Sequence, residues 1–281
     1  MKDKDYLKPS HIFLNRLLRT SVMPKILIRK GKKEFIPELD REMTTVKAMQ
    51  YFVEDLNKDF HTAFGVISKK DLQKNGEIVK SSMGKEFVIF EANFSDKYKK
   101  LRKLPQTIPS KDIGLIITET GVNKESKIVE AGLGSGALAC ALANISKEVT
   151  SYEIREDHIE VAQRNINELE LKNVTVKNKS IYEGIDEKNV DLIVFDLPEP
   201  WKAIEHASKA LKIGGFLVSY SPTVPQVMDF VSELSKKDDL IVVKTVEVIE
   251  RLWEVEGRKV RPKSISIGHS GFLTFVRKVL S

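Results

Sequence analysis

Cysteine is nearly absent from the sequence, which has one, Cys140, among 281 residues. A single cysteine excludes an internal disulfide and a metal site built from a cysteine cluster, and we expect no bound metal. No apolar run approaches the ~20 residues that cross a bilayer. The first residues alternate charges with hydrophobic side chains and lack the uninterrupted apolar core of a secretory signal. We therefore expect a cytoplasmic protein that does not enter a membrane.

Acidic residues are scarce in the first part of the chain. Residues 1–110 hold 23 Lys and Arg against 14 Asp and Glu, whereas residues 111–281 hold 23 against 26. A basic region beside a nearly neutral one suits a polyanionic partner, because each phosphate neutralised by Lys or Arg releases a counterion. A lysine-rich solubilising surface explains the same counts, and charge alone does not choose between them.

The chain changes character near residue 110. Residues 1–110 are typical of short strands and turns, and we assign them to a small β-rich domain. The elements predicted there are a short helix at 10–19, a hairpin of 25–29 and 34–38 turning at Gly31, a helix at 41–59, and strands at 60–67 and 87–90.

From residue 111 to 281, strands alternate with helices, which predicts a mainly parallel sheet covered on both faces. The predicted strands are 127–131, 149–153, 174–178, 191–196 and 215–220, and the predicted helices are 135–145, 156–170, 201–211 and 223–236. Two β-type runs, 242–250 and 271–279, then follow with no convincing helix between them. We expect this last pair to be antiparallel.

The strongest motif is Glu130-Ala-Gly132-Leu-Gly134-Ser-Gly136, between a predicted strand and a predicted helix. Glycines let the backbone turn sharply and approach a ligand, while the helix start offers free N–H groups. The run loosely fits a dinucleotide fingerprint as well. An acid at Glu130 would face the cationic end of S-adenosylmethionine. Glu153, at the end of the next strand, is placed to accept hydrogen bonds from the ribose hydroxyls of either a dinucleotide or S-adenosylmethionine.

A second motif follows a strongly apolar strand and reads Asp196-Leu-Pro-Glu-Pro-Trp201. The strand delivers Asp196 at its carboxyl end, beside the crevice where the glycine turn should lie. Two prolines stiffen the loop that follows. We interpret Asp196 as a functional carboxylate and Trp201 as a packing residue.

These motifs resemble the tRNA (adenine-N1)-methyltransferases, which modify position 58 of the T-loop, and in archaeal members position 57 too. The resemblance rests on four runs in order: Ile128–Ala137, Ser151–Arg155, Asp196–Trp201 and Gly268-His-Ser-Gly-Phe-Leu273. It implies an α/β fold with the seven-stranded, Rossmann-like class I methyltransferase sheet and a small amino-terminal β domain. It also implies S-adenosyl-L-methionine as cofactor, tRNA as partner and a homotetramer.

The resemblance also assigns roles to individual residues. Asp196 is expected to be catalytic, and Lys111, Pro198 and His269 are expected to bind the substrate. The residues expected to bind the cofactor are Glu130, Gly132, Leu133, Gly134, Ser135, Gly136, Glu153, Ser180 and Asp196. The sequence departs from the family at Pro109-Ser110-Lys111-Asp112, where members tend to carry Tyr-Pro-Lys-Asp. It departs again at Lys179-Ser180, where many methyltransferases carry an Asp.

The chemistry favours a ring nitrogen over an exocyclic amine as the methyl acceptor. Methylation of adenine N1 creates a cation, which a carboxylate such as Asp196 would stabilise. Enzymes that methylate N6 generally carry an (Asn/Asp)-Pro-Pro-aromatic loop, which this motif does not match. The basic run 97–103, with Arg29, Lys30, Lys32 and Lys33, is a candidate contact for tRNA phosphates. Three alternatives stay open: a small-molecule methyltransferase, a non-catalytic RNA-binding subunit and a nicotinamide-binding protein.

Overall fold

The computed structural model describes residues 23–265 and 268–280, so the helix expected at 10–19 lies outside the described residues. The chain divides into two compact units between Asp96 and Lys97, earlier than the boundary expected at residue 110. Residues 97–110, which we assigned to the first domain, belong to the second unit. There the Tyr98 hydroxyl donates to the main-chain oxygen of Ala137 at 3.1 Å.

The first unit is a β structure built around one four-stranded antiparallel sheet, in the order β4-β1-β8-β7. Leu27, Val53, Phe87 and Ile89 belong to its buried core. Two further strand pairs, β2–β3 and β5–β6, complete the unit. Its strands are β1 (Lys25–Arg29), β2 (Lys32–Ile36), β3 (Arg41–Val46), β4 (Met49–Val53), β5 (Phe60–Thr62), β6 (Gly65–Ile67), β7 (Glu77–Lys80) and β8 (Glu86–Glu91).

Three predictions in this unit are wrong. The single strand expected at 60–67 is divided by a turn into β5 and β6, which pair antiparallel. The expected hairpin of 25–29 and 34–38 does not form, because β1 is paired on both edges by β4 and β8, and β2 pairs with β3 instead. The expected helix at 41–59 is replaced by the two strands β3 and β4. Its apolar residues do not share one face, since Val53 is buried while Met43 and Met49 are exposed. β-branched Thr44, Thr45 and Val46 favour a strand there.

The second unit contains the predicted seven-stranded sheet, in the order β11-β10-β9-β12-β13-β17-β14. The first five strands are parallel, and β17 runs antiparallel to both β13 and β14, as expected. These strands are β9 (Lys127–Ala131), β10 (Glu148–Glu153), β11 (Val174–Asn178), β12 (Val190–Phe195), β13 (Leu211–Ser221), β14 (Leu240–Glu247) and β17 (Phe272–Lys278).

Helices cover both faces of this sheet, and a hydrophobic core fills each side. These helices are α2 (Ser110–Thr120), α3 (Ala137–Ala143), α4 (Glu156–Glu168), α5 (Ile204–Ala210) and α6 (Val224–Leu234); the short helix α1 (Phe94–Tyr98) spans the boundary between the two units. A hairpin that we did not predict, β15 (Trp253–Glu256) with β16 (Lys259–Pro262), lies between β14 and β17. Among the described helices, none has the length and apolar character needed to cross a bilayer.

Candidate active site

A cavity of about 430 Å³ opens at the carboxyl edge of the parallel strands, within the second unit. Five segments form its walls: the chain before α2, the glycine turn after β9, the end of β10, the loop after β11 and the loop after β12. The lining residues are Pro105, Gln106, Thr107, Ile108, Ala131, Gly132, Leu133, Gly134, Ser135, Ala137, Leu138, Tyr152, Glu153, Ile154, Arg155, His158, Lys179, Ser180, Ile181, Tyr182, Asp196, Leu197 and Pro198. The motifs at 130–136, 153 and 196 therefore meet at one site.

The glycine turn depends on conformations that other residues rarely adopt. Gly132, Gly134 and Gly136 have φ of 92°, 52° and 74°. A Cβ atom on Gly132 would lie 2.0 Å from the main-chain oxygen of Asp196, and one on Gly136 would lie 3.0 Å from the Cβ of Ala162. Gly132 thus permits the close approach of two loops, and Gly136 permits helix packing.

Glu153 ties the end of β10 to the glycine turn. Its Oε2 accepts the main-chain N–H of Gly134 at 3.2 Å, and its Oε1 accepts those of Ile154 at 2.8 Å and Arg155 at 3.0 Å. The ring Nδ1 of His158 lies 3.4 Å from Oε2. This buried carboxylate is fixed at the cavity wall, where its remaining lone pairs can accept hydroxyl donors.

Asp196 follows β12 directly, and its main-chain N–H donates to the Ala131 oxygen at 2.9 Å. This bond continues the β9–β12 ladder and holds the aspartate beside the glycine turn. Its half-buried side chain lines the cavity, and burial raises the pKa of the Asp196 carboxyl to about 7. A carboxyl group that titrates near neutral pH at the mouth of a cavity has the character of a functional group.

Glu130 lies on β9, one residue before the turn, and is almost fully buried. The Ser151 hydroxyl donates to its Oε1 at 2.7 Å, while Oε2 has no hydrogen-bond partner among the described residues. Burial raises the pKa of Glu130 to about 8, with smaller contributions from the nearby carboxylates of Asp196 and Glu153. Glu130 lies behind the cavity wall, and its contact with a cofactor stays a prediction.

These residues fit S-adenosylmethionine. The glycine turn leaves backbone space that a side chain would fill, and Glu130 carries an unpartnered buried oxygen. Asp196 and Glu153 both lie close enough to Glu130 for their charges to raise its pKa. A cluster of carboxylates suits a cation, and Glu153 suits a ribose diol. No group of His, Cys, Asp and Glu among the described residues is arranged to hold a metal.

Lys111 is placed in an ion pair beside the cavity and does not line it. Its Nζ donates to both carboxylate oxygens of Asp112 at 2.9 Å and to the Ser270 hydroxyl at 2.7 Å. Asp112 is fully buried, and Ser270 also donates to it. The Tyr220 hydroxyl in turn donates to the Ser270 main-chain oxygen at 2.6 Å. Lys111 therefore fastens the start of α2 to the loop before β17.

The other substrate residues expected from the sequence are divided between the cavity and its surroundings. Pro198 lines the cavity and is exposed, whereas His269 lies outside it. The His269 Nδ1 lies 2.5 Å from the Glu247 carboxylate, and its Nε2 lies 2.8 Å from the Pro222 oxygen. Both partners are acceptors, and they raise the pKa of His269. Ser180 lines the cavity and accepts the Tyr182 N–H at 3.3 Å.

Several cavity residues were not predicted from the sequence, among them His158, Tyr182 and Gln106. His158 lies in the first turn of α4, beside Glu153. Tyr182 lines the cavity, and its hydroxyl is buried with no hydrogen-bond partner among the described residues. Gln106 lines the wall before α2 and has φ of 64°, which no sequence pattern predicted.

The chain is similar to known proteins in both sequence and fold. A family model described as tRNA methyltransferase complex GCD14 subunit matches residues 99–269. The tRNA (adenine(57)-N(1)/adenine(58)-N(1))-methyltransferase of Methanocaldococcus jannaschii is 34% identical over 261 residues, which cover 82% of this chain and 92% of that protein.

Two solved structures cover 92% of the chain. A SAM-dependent O-methyltransferase from Thermotoga maritima has a TM-score of 0.74 and 28% identity, with 93% of its own chain covered. The tRNA (m1A58) methyltransferase from Aquifex aeolicus has a TM-score of 0.71 and 23% identity, with 97% of its chain covered. The second likeness supports the class I methyltransferase fold alone.

Proposed function

Since the chain belongs to the family of GCD14 subunits of the tRNA methyltransferase complex, we propose that it methylates N1 of adenine in the T-loop of tRNA, at position 58 and also at 57. The observation that carries this proposal is Asp196, held against the glycine turn at the mouth of the cavity. The family supports the reaction class, and the position of the Asp196 carboxylate at the cavity supports it as the residue that acts on the base.

S-adenosylmethionine is the proposed methyl donor. When bound, it would supply an electrophilic methyl group on its sulfonium to the N1 lone pair of adenine, with the C–S bond breaking and S-adenosylhomocysteine as the leaving group. We assign Glu153 to the ribose hydroxyls, and Gly132, Leu133, Gly134, Ser135 and Gly136 to the cradle around the cofactor. Ser180 borders the same cavity and offers its hydroxyl. We propose that Glu130, whose Oε2 has no partner among the described residues, attracts the cationic end of the cofactor electrostatically across the glycine turn.

Asp196 acts on the base. Transfer of the methyl leaves adenine with a positive charge on its ring, and an anionic Asp196 stabilises that charge as it develops. The same carboxylate accepts a hydrogen bond from the exocyclic amine and takes its proton when the product is neutralised. Burial keeps the Asp196 pKa near 7, so the group can exchange a proton at neutral pH.

tRNA binding is proposed for two basic surfaces, each described within its own unit. Lys99, Arg102 and Lys103 are exposed in the second unit, and Lys30, Lys32 and Lys33 are exposed in the first. The Nζ of Lys32 lies 2.5 Å from the Glu34 carboxylate, so this lysine is a weaker candidate for binding a phosphate. We also propose that Pro198 contacts the substrate base, that the protein is a homo-oligomer, with a tetramer as the family resemblance implies, and that it works in the cytoplasm.

A second function is favoured by one observation, the Thermotoga maritima structure named as an O-methyltransferase. A hydroxyl acceptor would need a base to remove its proton, and Asp196 has a suitable pKa for that. The basic surfaces and the tRNA methyltransferase family favour RNA as the acceptor. Methyl transfer by the chain alone would also exclude a purely non-catalytic subunit.

The test is to incubate unmodified tRNA with the protein and isotopically labelled S-adenosylmethionine, then to map methylated nucleosides by mass spectrometry. We expect 1-methyladenosine at position 58, and at 57 where adenine is present. Transcripts with guanine at 58, at 57 or at both are the matched controls, and each should lose its own signal. Label in small hydroxyl acceptors but not in tRNA would overturn the proposal.

A further inference from the structure

A short segment before α2 belongs both to the cavity wall and to the basic surface of the second unit. We define the strap as residues 101–108. Residues 105–108 line the cavity, whereas the side chains of Arg102 and Lys103 are exposed and lie outside its lining. From Arg102 to Gln106 the backbone spans at most roughly 14 Å. The proposed phosphate contact and the proposed cofactor contact are therefore only a few residues apart on one segment.

Asn165 on α4 fastens the strap to the glycine turn. Its Oδ1 accepts the main-chain N–H of Arg102 at 3.1 Å, and its Nδ2 donates to the Arg102 oxygen at 2.9 Å. The same Nδ2 donates to the Ser135 oxygen at 2.7 Å. Asn165 is 1% exposed. Neither a carboxylate nor an aliphatic side chain could both accept that N–H and donate to the two oxygens, so the clamp requires an amide.

The strap keeps a backbone conformation that its own sequence does not favour. Gln106 is exposed and has φ of 64°, a left-handed conformation that costs free energy in any residue with a Cβ. Beside it, the Thr107 hydroxyl donates to the Leu104 oxygen at 2.9 Å and lies 3.5 Å from the Ser135 hydroxyl. Contacts with the rest of the unit, among them the Asn165 clamp, therefore maintain the shape of this wall.

On the basis of the proposed function, we infer that Asn165 is a positioning residue through which tRNA and the cofactor strengthen each other's binding. Phosphate on the exposed cations and a cofactor in the cavity both hold the strap. Whichever ligand binds first fixes the segment, so the second loses less conformational entropy when it binds. Such coupling is reciprocal, and each ligand changes the affinity of the other by the same factor. Asn165 transmits it because one amide bonds both the Arg102 main chain and the Ser135 oxygen of the cofactor turn.

A second asparagine makes a similar clamp away from the strap and supplies the matched control. The Nδ2 of Asn173 donates to the main-chain oxygens of Ala143 at 2.8 Å and Ser146 at 3.1 Å. Asn173 directly precedes β11, so it lies at the amino edge of the sheet, and the cavity lining includes neither of its partners. Its loss should weaken the fold without changing the strap.

Calorimetric titration of the full chain with S-adenosylhomocysteine, with and without saturating unmodified tRNA transcript, measures this coupling. S-adenosylhomocysteine carries no transferable methyl group, so the complexes do not turn over. We expect tRNA to lower the wild-type Kd for S-adenosylhomocysteine at least about fivefold, and S-adenosylhomocysteine to lower the Kd for tRNA by the same factor. Asn165→Ala should bring both ratios to about one, whereas Asn173→Ala should keep the wild-type ratios.

The ratios separate coupling from stability. A wild-type chain that binds and methylates tRNA but shows no coupling overturns the inference alone. Unchanged ratios in N165A would leave Asn165 with a purely structural role, and equal loss of coupling in N173A would trace the effect to general stability. Either result also overturns it. Absence of tRNA binding or of methyl transfer would instead overturn the proposed function, and the inference with it.

A second measurement needs no substitution, and so it holds even if N165A does not fold. Hydrogen exchange of the wild type, followed by mass spectrometry, reports the opening of the strap. S-adenosylhomocysteine alone should slow exchange at the amides of Arg102 and Lys103, which lie outside the cavity lining. Exchange that stays unchanged at these two amides, while S-adenosylhomocysteine is bound, would show that the strap does not respond to the cofactor and would overturn the inference.

Discussion

The main-chain oxygen of Asp196 occupies the space beside Gly132 where any other residue would carry its Cβ, at 2.0 Å from that position. The two loops that form the candidate site therefore touch through their backbones. The Asp196 N–H and the Ala131 oxygen, 2.9 Å apart, anchor the same contact one residue earlier. The position of the proposed catalytic carboxylate is set by the residue that shapes the cofactor turn.

Gly132→Ala should destabilise the protein and its site. The new methyl group would meet the Asp196 oxygen at a φ of 92°, so we expect a loss of about 2–4 kcal/mol in the free energy of unfolding. Gly134→Ala is the matched control, since it also has positive φ but no atom nearer than 3.9 Å to the added Cβ. It should lose about 1 kcal/mol. Urea unfolding measures both, and equal losses would contradict the close contact.

Asp196→Asn should remove most of the activity and leave the cofactor in place. The amide keeps the shape of the side chain but carries no negative charge to stabilise the cationic methylated base. We therefore expect a decrease in kcat of roughly 10²–10⁴-fold. Calorimetric titration with S-adenosylhomocysteine should give nearly the wild-type Kd. Asp191→Asn, at the other end of β12, is the control and should retain activity. An active D196N enzyme would remove the catalytic assignment.

The raised pKa of Asp196 predicts two opposite effects of pH. The anion is needed for catalysis, so kcat/KM should rise with pH and level off above the Asp196 pKa of about 7. Stability should change the other way. A carboxyl whose pKa is raised in the folded state favours folding fully below its unfolded pKa, and this contribution is lost as the pH rises through about 7. Asp196→Asn should therefore raise the Tm more at pH 8 than at pH 5, and an equal change at both would contradict the pKa.

Glu153→Gln should weaken cofactor binding through two routes. The amide nitrogen would face main-chain N–H groups of Gly134, Ile154 or Arg155 that the carboxylate now accepts, and it would lose a charged acceptor for the ribose. Loss of one charged hydrogen bond of about 1.5–3 kcal/mol corresponds to about a 10–150-fold higher Kd. Glu148→Gln, at the exposed amino end of the same strand, is the control. An unaltered Kd in E153Q would place the ribose elsewhere.

The parallel sheet was predictable because its signals are local and agree with one another. The strands β9 and β12 are mostly apolar and buried, and the glycine turn and Asp196 directly follow them. The carboxyl ends of parallel strands meet at one edge, so placing the two motifs together required no knowledge of side-chain packing. The antiparallel final pair also followed from the missing helix between 250 and 271.

The first unit was less predictable because its pairing is decided at long range. β1 could turn back on β2 by its local sequence, yet it pairs with β4 and β8 because Leu27 is buried with Val53 and Ile89. The positive φ of Gln106 and the burial of Asp112 also depend on tertiary contacts. Lys111 is the clearest case in the site, since its partners Asp112 and Ser270 are adjacent and 159 residues away, respectively.

Lys111→Met distinguishes a structural role for this lysine from the substrate role that the sequence suggested. The variant would leave fully buried Asp112 with the Ser270 hydroxyl but without its cation. Removing one partner of a buried ion pair typically costs about 3–5 kcal/mol, because the other charge stays buried. We expect a loss of this size in urea unfolding, and K111M/D112L should recover much of it.

Lys244→Met is the control, since its pair with Glu119 is partly exposed and should contribute at most about 1 kcal/mol. If K111M instead keeps full stability and binds tRNA weakly, Lys111 acts on the substrate and its pair with Asp112 is secondary.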